Sequence, residues 1–212
     1  MNRRIARMIS LALALAAGVI ASSAQVAAAA EPGRAIFAGG CFWCVEAAFD
    51  DVPGVIATNP GYIGGTVPTP TYEQVSAGGT GHTEAVEVRY DPQRISYRQL
   101  LAVFWRNIDP HDADGQFCDR GNQYRSAIFV VDAEQRRLAE ESLRALATSG
   151  LLRAPITTQI TDAGPFYAAE EYHRDYHQKN SARYKFYRWN CGRDQRLNAV
   201  WDGIETLPFE VN

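Results

Sequence analysis

Two cysteines three positions apart, Cys41 and Cys44, are the residues best suited to chemistry in this chain. They follow a short apolar run and the glycine pair Gly39 and Gly40, and they precede a run of helix-forming residues. This order predicts a strand, a tight turn and the start of a helix. A thiol at a helix N-terminus meets free backbone N–H groups and the positive end of the helix dipole, and both favour the thiolate. Cys41 is therefore the candidate nucleophile, and Cys44, one helical turn later, is placed to form a redox disulfide with it.

A cysteine pair at this spacing also occurs without redox chemistry, so other functions stay open. The pair could fill space in a core, or it could supply half of a zinc site. His173 and His177 are four residues apart, so on one helix both could face a metal ion that Cys41 and Cys44 complete as a tetrahedral site. This structural zinc module is the main alternative from another class. A thiol–disulfide oxidoreductase of the thioredoxin kind is the enzymatic alternative.

Two large aromatic residues, Phe42 and Trp43, lie between the cysteines. Aromatic rings at the mouth of a reactive thiol suggest an apolar pocket for a small apolar substituent. The alternative is that both rings belong to the core beneath a helix start.

A candidate acid, Glu84, lies in a stretch that alternates from Thr83 to Tyr90 and places it on the same face as Val86 and Val88. If that face contacts the core, desolvation raises the pKa of Glu84 and keeps its carboxyl protonated near neutral pH, as a proton donor. The alternative is a frayed strand end with Glu84 in solvent.

The elements that must position these residues are short strands alternating with helices of unequal length. Capping signals begin helices at Ser96 and Asp132, and apolar runs predict strands near residues 125–131 and 156–160. This pattern favours an α+β sandwich over a doubly wound parallel sheet.

From Glu170 onward aromatic and basic residues are mixed, a composition seen in single-stranded nucleic-acid binders. The formal net charge of −3 argues against nucleic acid as a partner, and a helical segment that buries its rings is the plainer interpretation.

Residues 1–30 have the pattern of a secretory signal peptide: early arginines, an apolar run rich in alanine and leucine, and small residues before Glu31. The apolar run is short for a membrane span, and no later segment offers one. We therefore expect cleavage after Ala30, export to the periplasm, no membrane contact after cleavage, and a single catalytic domain at residues 31–212.

Six motifs along the chain, taken together and in order, resemble the peptide methionine sulfoxide reductases of the A type. The motifs are Gly40-Cys41-Phe42-Trp43, Gly61-Tyr62-x-Gly64-Gly65, Pro70-Thr71-Tyr72, Gly81-His82-x-Glu84-Ala85-Val86, Gln123-Tyr124-Arg125-Ser126-Ala127-Ile128 and Glu171-Tyr172-His173. The resemblance implies a ferredoxin-like two-layer α/β sandwich with a long C-terminal wrap. It also implies reduction of the S epimer of methionine sulfoxide, free or in proteins.

The resemblance assigns a role to each candidate site residue. It implies attack by Cys41 and proton donation by Glu84, because a sulfoxide sulfur is a poor electrophile until its oxygen is protonated. The remaining matched positions would bind the substrate: hydroxyls that hold the sulfoxide oxygen (Tyr72 and Tyr124), an acidic residue lining the site (Asp119), and the pocket for the S-methyl group (Phe42 and Trp43).

The product methionine would leave Cys41 as a sulfenic acid, which a second thiol condenses to a disulfide. This chain departs from the family here, since many members have glycine in place of Cys44 and resolving cysteines in a glycine-rich tail. Cys44 is the first choice for the resolving residue, Cys191 is the second, and Cys118 matches no role. We expect no bound cofactor or metal, an external dithiol reductant such as a thioredoxin-like protein, oxidised proteins or peptides as substrates, and a monomer.

Overall fold

The computed structural model describes residues 31–210 of the 212-residue chain. The predicted signal peptide at residues 1–30 lies outside the described residues, so it stays a prediction. Within the described part of the chain, no helix is both long and apolar enough to cross a membrane.

Eight strands are formed by the described residues. They are β1 (Gly33–Gly39), β2 (Val55–Ile63), β3 (Thr83–Tyr90), β4 (Gly115–Gln116), β5 (Asp119–Arg120), β6 (Ser126–Val130), β7 (Gln159–Asp162) and β8 (Tyr167–Ala168). Six of them make one sheet in the order β7-β6-β1-β3-β2-β8, in which only the β6–β7 pair is parallel. β4 and β5 pair as a separate hairpin.

The same described residues form seven α-helices, with short 3-10 turns at Asn122–Tyr124 and Glu171–His173. The helices are α1 (Phe42–Asp50), α2 (Tyr72–Ser76), α3 (Tyr97–Arg106), α4 (Ala133–Thr148), α5 (Tyr176–Lys179), α6 (Ser181–Asn190) and α7 (Arg193–Trp201). The predicted caps are present: the side chains of Ser96 and Asp132 accept hydrogen bonds from the backbone N–H groups of Gln99 and Gln135. The predicted α+β class is confirmed, and the central order β6-β1-β3-β2 with α1 and α3 as crossovers is the ferredoxin-like arrangement.

The helices α1, α3 and α4 cover one face of the sheet. Phe37 of β1 stacks on Phe49 of α1 and on Phe104 of α3, with ring centroids 5.1 Å apart in both pairs. The neighbouring Ile36 and Ala38 point to the opposite face, where they contact Phe129. Because a buried aromatic side chain contributes about 1.5–3 kcal/mol, these rings fix α1 firmly against β1 and β3.

Strand β2 runs through Pro60 to Ile63. Pro60 lacks an N–H donor, while its carbonyl accepts a hydrogen bond from the N–H of Ala169 at 2.9 Å. Tyr72 begins the short helix α2 under a capping box formed by Thr71 and Gln74.

The segment after residue 170 returns to the helical face and covers the start of α1. Tyr176 of α5 and Tyr184 of α6 are buried against Cys44. A disulfide between Cys118 and Cys191 joins the β4–β5 hairpin to the junction of α6 and α7. The predicted C-terminal wrap is therefore present, and the disulfide attaches it covalently to the β4–β5 hairpin.

Candidate active site

The predicted strand, turn and helix around Cys41 are present. Gly40 has φ +83°, and a Cβ there would lie 2.7 Å from Cβ of Gln116, so the turn requires glycine. Cys41 is the N-cap of α1, and its carbonyl accepts hydrogen bonds from the N–H groups of Cys44 at 3.0 Å and Val45 at 3.3 Å. Cys41 is 7% exposed and Cys44 is 1% exposed, so the nucleophile candidate alone is open to a ligand.

The thiols of Cys41 and Cys44 lie one turn apart on α1 and shift each other's pKa in opposite directions. Burial raises the pKa of Cys41, and the neighbouring Cys44 raises it further. The neighbouring Cys41 lowers the pKa of Cys44 to about 6, with help from the positive charge of Arg193. Cys44 is therefore the more acidic of the two thiols, and the burial of Cys41 outweighs the effect of the helix N-terminus on its pKa.

A cavity of about 70 Å³ opens over Cys41. It is lined by the eight side chains Cys41, Phe42, Trp43, Tyr72, Glu84, Asp119, Tyr124 and Tyr187. Seven of these were candidates from the sequence. The remaining candidates, Cys44 and Cys191, do not line the cavity.

Glu84 is buried, as the alternation of β3 predicts, and not frayed into solvent. Its Oε2 accepts a hydrogen bond from the backbone N–H of Phe42 at 2.9 Å. Burial raises the pKa of Glu84 to about 8 even though this hydrogen bond opposes the rise. The carboxyl is therefore protonated at neutral pH and lies in the same cavity as the Cys41 thiol.

Tyr72 and Tyr124 reach the cavity from two different elements. Tyr72 begins α2, and its backbone N–H donates to Glu170 at 2.8 Å. Tyr124 ends the 3-10 turn before β6. Burial and the nearby Glu84 raise the pKa of Tyr72 to about 12, and the same two causes raise the pKa of Tyr124 above its ordinary value. Both hydroxyls remain neutral hydrogen-bond donors.

Phe42 and Trp43 form the apolar wall of the cavity. The Phe42 ring lies 4.8 Å from His173, and Trp43 stacks on Tyr176 at 3.7 Å. The indole N–H of Trp43 donates to Nδ1 of His173 at 3.0 Å, so this ring is held from two sides. Both aromatics thus belong partly to the core and partly to the pocket.

The described residues match the family model for "peptide methionine sulfoxide reductase" over residues 33–204. The chain is 56% identical to a peptide methionine sulfoxide reductase MsrA of Ligilactobacillus salivarius over 168 residues, 79% of this chain and 97% of that protein. It is 48% identical to MsrA 2 of Caulobacter vibrioides over 197 residues, 93% of this chain and 100% of that protein. The chain belongs to the peptide methionine sulfoxide reductases. It is an oxidoreductase that reduces methionine sulfoxide and so repairs oxidised methionine.

Solved structures of this reductase family share the fold. Methionine sulfoxide reductase A of Corynebacterium diphtheriae is similar with TM-score 0.63 and 36% identity, over 72% of this chain and 76% of that chain. The reduced form of Mxr1 from Saccharomyces cerevisiae is similar with TM-score 0.64 and 31% identity, over 72% and 87% of the two chains.

The described structure does not bring together the four residues of the zinc-module alternative. His173 ends a 3-10 turn and His177 lies in α5, and between them Asp175 has a left-handed backbone with φ 53°. The two imidazoles therefore do not share one helical face. Among the described residues, no group of potential metal ligands includes Cys41 or Cys44.

Tyr187 completes the reductase site and was missed as a site residue by sequence reasoning. Its hydroxyl donates to Oδ2 of Asp119 at 2.6 Å, and burial raises the pKa of Asp119. The sequence shows Tyr187 only as one ring among many in the aromatic segment, so no local signal marks it.

Arg193 is a second residue that the sequence did not single out. Its guanidinium is buried and donates to the carbonyl of Gly39 at 3.1 Å and to that of Asn107 at 2.7 Å. Its charge helps to lower the pKa of Cys44 and opposes the rise that burial causes in the pKa of Asp119, and the guanidinium lies 4.3 Å from the ring centroid of Phe117. Arg193 thus supplies fixed positive charge behind the thiol pair of the reductase.

The predicted alternative resolving residue, Cys191, is bonded to Cys118 in this reductase. Cys118 immediately precedes Asp119, so the disulfide anchors the hairpin that carries a cavity residue. Cys41 and Cys44 are free thiols. The sequence had assigned no role to Cys118, since the pairing joins segments 73 residues apart.

Proposed function

We propose that the chain reduces the S epimer of methionine sulfoxide, free or in oxidised proteins and peptides, through a sulfenic acid on Cys41. The observation that supports this most is one small cavity holding a thiol, a protonated carboxyl and two neutral phenols beside an apolar wall. Sulfoxide reduction needs these groups together, because the sulfur becomes electrophilic only when its oxygen is protonated or hydrogen-bonded.

In the proposed binding mode each part of the sulfoxide meets a different side of the cavity. The S-methyl group contacts Phe42 and Trp43, the oxygen faces Glu84 and the hydroxyls of Tyr72 and Tyr124, and Cys41 lies below the sulfur. Asp119 lines the remaining side. Three fixed directions around the pyramidal sulfur admit one epimer, and the resemblance of the sequence motifs to the A-type reductases favours the S epimer.

The proposed first step begins with the proton of the Cys41 thiol. That proton moves to Cys44, and the Cys41 thiolate attacks the sulfoxide while Glu84 gives its proton to the oxygen. The sulfur–oxygen bond breaks and the oxygen passes to Cys41. The products are methionine, a Cys41 sulfenic acid and a Glu84 carboxylate, which regains its proton from solvent. The substrate sulfur is reduced by two electrons and the Cys41 sulfur is oxidised by two.

The proposed second step forms a disulfide between the two residues. The Cys44 thiol condenses with the Cys41 sulfenic acid, which forms the Cys41–Cys44 disulfide and releases water. The free thiol of Cys44, one turn after Cys41 on α1, supports Cys44 as the resolving residue. The disulfide between Cys118 and Cys191 argues against Cys191 as the resolving residue, because its sulfur is not a free thiol that could condense with the sulfenic acid.

We propose that an external dithiol, such as a thioredoxin-like protein, reduces the Cys41–Cys44 disulfide. Cys41 is the more exposed of the two sulfurs, so an incoming thiolate would attack it through the cavity mouth. The chain would act as a monomer with no bound cofactor.

We also propose that residues 1–30 are removed during export and that the mature chain works in the periplasm. The arginines, the apolar run and the small residues before Glu31 support this. N-terminal sequencing of the protein from a periplasmic fraction checks it: Glu31 as the first residue is expected, and a retained Met1 would contradict it.

The deciding experiment for the activity is chiral. The protein is incubated with dithiothreitol and the separated S and R epimers of a methionine sulfoxide peptide, and methionine formation is followed. Loss of the S epimer alone, abolished by Cys41→Ser, is the expected result. Turnover of the R epimer, or S turnover that survives Cys41→Ser, would overturn the proposal.

A further inference from the structure

The carboxylate of Glu170 joins two elements of the fold and does not itself line the cavity over Cys41. Its Oε1 accepts a hydrogen bond from the backbone N–H of Tyr72, and its Oε2 accepts one from the hydroxyl of Tyr62, both at 2.8 Å. Tyr72 begins α2, and Tyr62 is fully buried in β2. One carboxylate from the C-terminal segment therefore holds the start of α2 against the sheet.

The same carboxylate faces the imidazole of His173. Nδ1 of His173 accepts from the indole N–H of Trp43 at 3.0 Å, so the proton of the neutral imidazole is on Nε2. This Nε2 is buried, has no hydrogen-bond partner among the described residues, and lies 4.0 Å from Oε2 of Glu170. The separation is about 1 Å longer than a hydrogen bond, so a small movement would let Nε2 donate to Glu170.

The charge states of the group agree with these roles. Burial alone would raise the pKa of Glu170, but the hydrogen bonds from the Tyr72 N–H and the Tyr62 hydroxyl outweigh it and hold the pKa below its ordinary value. Burial lowers the pKa of His173 to about 4, so the imidazole stays neutral and its Nδ1 can accept from Trp43. At neutral pH one carboxylate is thus surrounded by donors.

We propose that Glu170 is a positioning residue for sulfoxide reduction, which orients Tyr72 directly and Trp43 through His173. The role rests on the proposed function, in which Tyr72 holds the sulfoxide oxygen and Trp43 contacts the S-methyl group. The His173 ring also lies 4.5 Å from the ring of Tyr72, so it contacts both sides of the cavity. Glu170 then sets the spacing between the oxygen side and the methyl side.

Tyr72 needs such a support because its own helix is short. α2 has five residues, and Val75 is the one that is buried. Oxygen and methyl are bonded to the same sulfur, so a displacement of either side by about 1 Å is enough to spoil the alignment with Cys41. A glutamine at position 170 offers one acceptor oxygen in place of two, so it cannot accept from both Tyr72 and Tyr62.

The first test compares two neighbouring carboxylates. Glu170→Gln keeps the size of the side chain, and we expect kcat/KM for the S epimer of a methionine sulfoxide peptide to fall by about tenfold or more, with dithiothreitol as the reductant. Glu171→Gln is the matched control, because Glu171 is exposed and pairs with Arg174 and Lys179. Melting temperatures verify that both variants fold. Unchanged kinetics in Glu170→Gln, or an equal loss in Glu171→Gln, would overturn the proposal.

A double-mutant cycle shows whether Glu170 acts through Tyr72. Glu170→Gln is added to Tyr72→Phe and, separately, to Tyr124→Phe. We expect it to reduce kcat/KM less in the Tyr72→Phe background, where the hydroxyl that it orients is already gone, and to keep its full effect in the Tyr124→Phe background. Equal effects in both backgrounds would overturn the role of Glu170 and leave the proposed function standing. Full activity of Tyr72→Phe alone would overturn the proposed binding of the oxygen, and the role of Glu170 with it.

Discussion

The backbone N–H of Phe42 donates a hydrogen bond to Oε2 of Glu84 at 2.9 Å. This contact ties the first turn of α1 to the beginning of β3 and aims the carboxyl at the cavity over Cys41. A charged acceptor would strengthen the bond, yet burial dominates and the carboxyl keeps its proton at neutral pH.

Replacing Glu84 by glutamine should remove the proton donor and keep the contact. The amide oxygen of Glu84→Gln can still accept from Phe42, so the cavity should keep its shape. We expect kcat/KM for methionine sulfoxide to fall by about 10²-fold or more, measured with dithiothreitol as the reductant. Glu87→Gln is the matched control on the same strand, because Glu87 faces away from the cavity and pairs with Arg34. An equal loss in both variants would show that the effect is structural.

The two tyrosines should each contribute a hydrogen bond to the sulfoxide oxygen. Tyr72→Phe and Tyr124→Phe remove one hydroxyl each and keep the ring, and we expect a loss of about 10²-fold in kcat/KM for each. Steady-state kinetics measure this loss. Tyr172→Phe is the control, since Tyr172 is 54% exposed and does not line the cavity. Unchanged kinetics in both cavity variants would argue against contact with the oxygen.

Cys44→Ser should separate the two steps of the reaction. Without the resolving thiol, each molecule should form one methionine and stop as a Cys41 sulfenic acid, which dimedone labelling and mass spectrometry detect. Turnover with a thioredoxin-like reductant should cease. A Cys118→Ala/Cys191→Ala variant should still recycle. Recycling in Cys44→Ser that disappears when Cys191 is also replaced would instead make Cys191 the resolving residue.

The pH dependence of kcat/KM should be bell-shaped. Activity should rise as the thiol pair loses its first proton, near the pKa of about 6 at Cys44, because the attack needs one thiolate. It should fall as Glu84 loses its proton near its pKa of about 8, because the donor is then lost. The profile is measured from pH 5 to 10, and the alkaline limb should vanish in Glu84→Gln. An alkaline limb that persists there would belong to another group.

The Cys118–Cys191 disulfide should stabilise the fold. It closes a loop with a sequence separation of 73, and a loop of that size corresponds to about 2–4 kcal/mol in the free energy of unfolding. Urea unfolding of the oxidised protein and of Cys118→Ala/Cys191→Ala measures this difference. Dithiothreitol should destabilise the oxidised protein and leave the variant unchanged. No difference between them would mean that the bond constrains only the hairpin that carries Asp119.

Local patterns in the sequence predicted the centre of the site well. The glycine turn, the helix that begins after Cys41 and the inward position of Glu84 each depend on residues only a few positions away in the sequence. Such features depend on nearest neighbours along the chain, and backbone sterics and side-chain alternation decide them.

Contacts between residues that are far apart in the sequence could not be predicted in this way. Arg193 donates to the carbonyl of Gly39 across a sequence separation of 154, and nothing near either residue in the sequence marks the pair. The helical pairing of His173 with His177 failed for a local reason, because Asp175 adopts a left-handed backbone between them. A non-glycine residue in that conformation is uncommon and has no clear sequence signal.

The covering of α1 by the C-terminal segment has a consequence for damaged or shortened chains. His173, Tyr187 and Arg193, which support Trp43, Asp119 and the thiol pair, all come from the last fifth of the sequence. After proteolysis near residue 170 the Cys118–Cys191 disulfide would still hold this segment, and only reduction of that bond would leave both thiols and Glu84 without the segment that covers α1. Peroxide could then reach Cys41 directly, so a clipped molecule would become a target of the oxidants whose damage the intact one reverses.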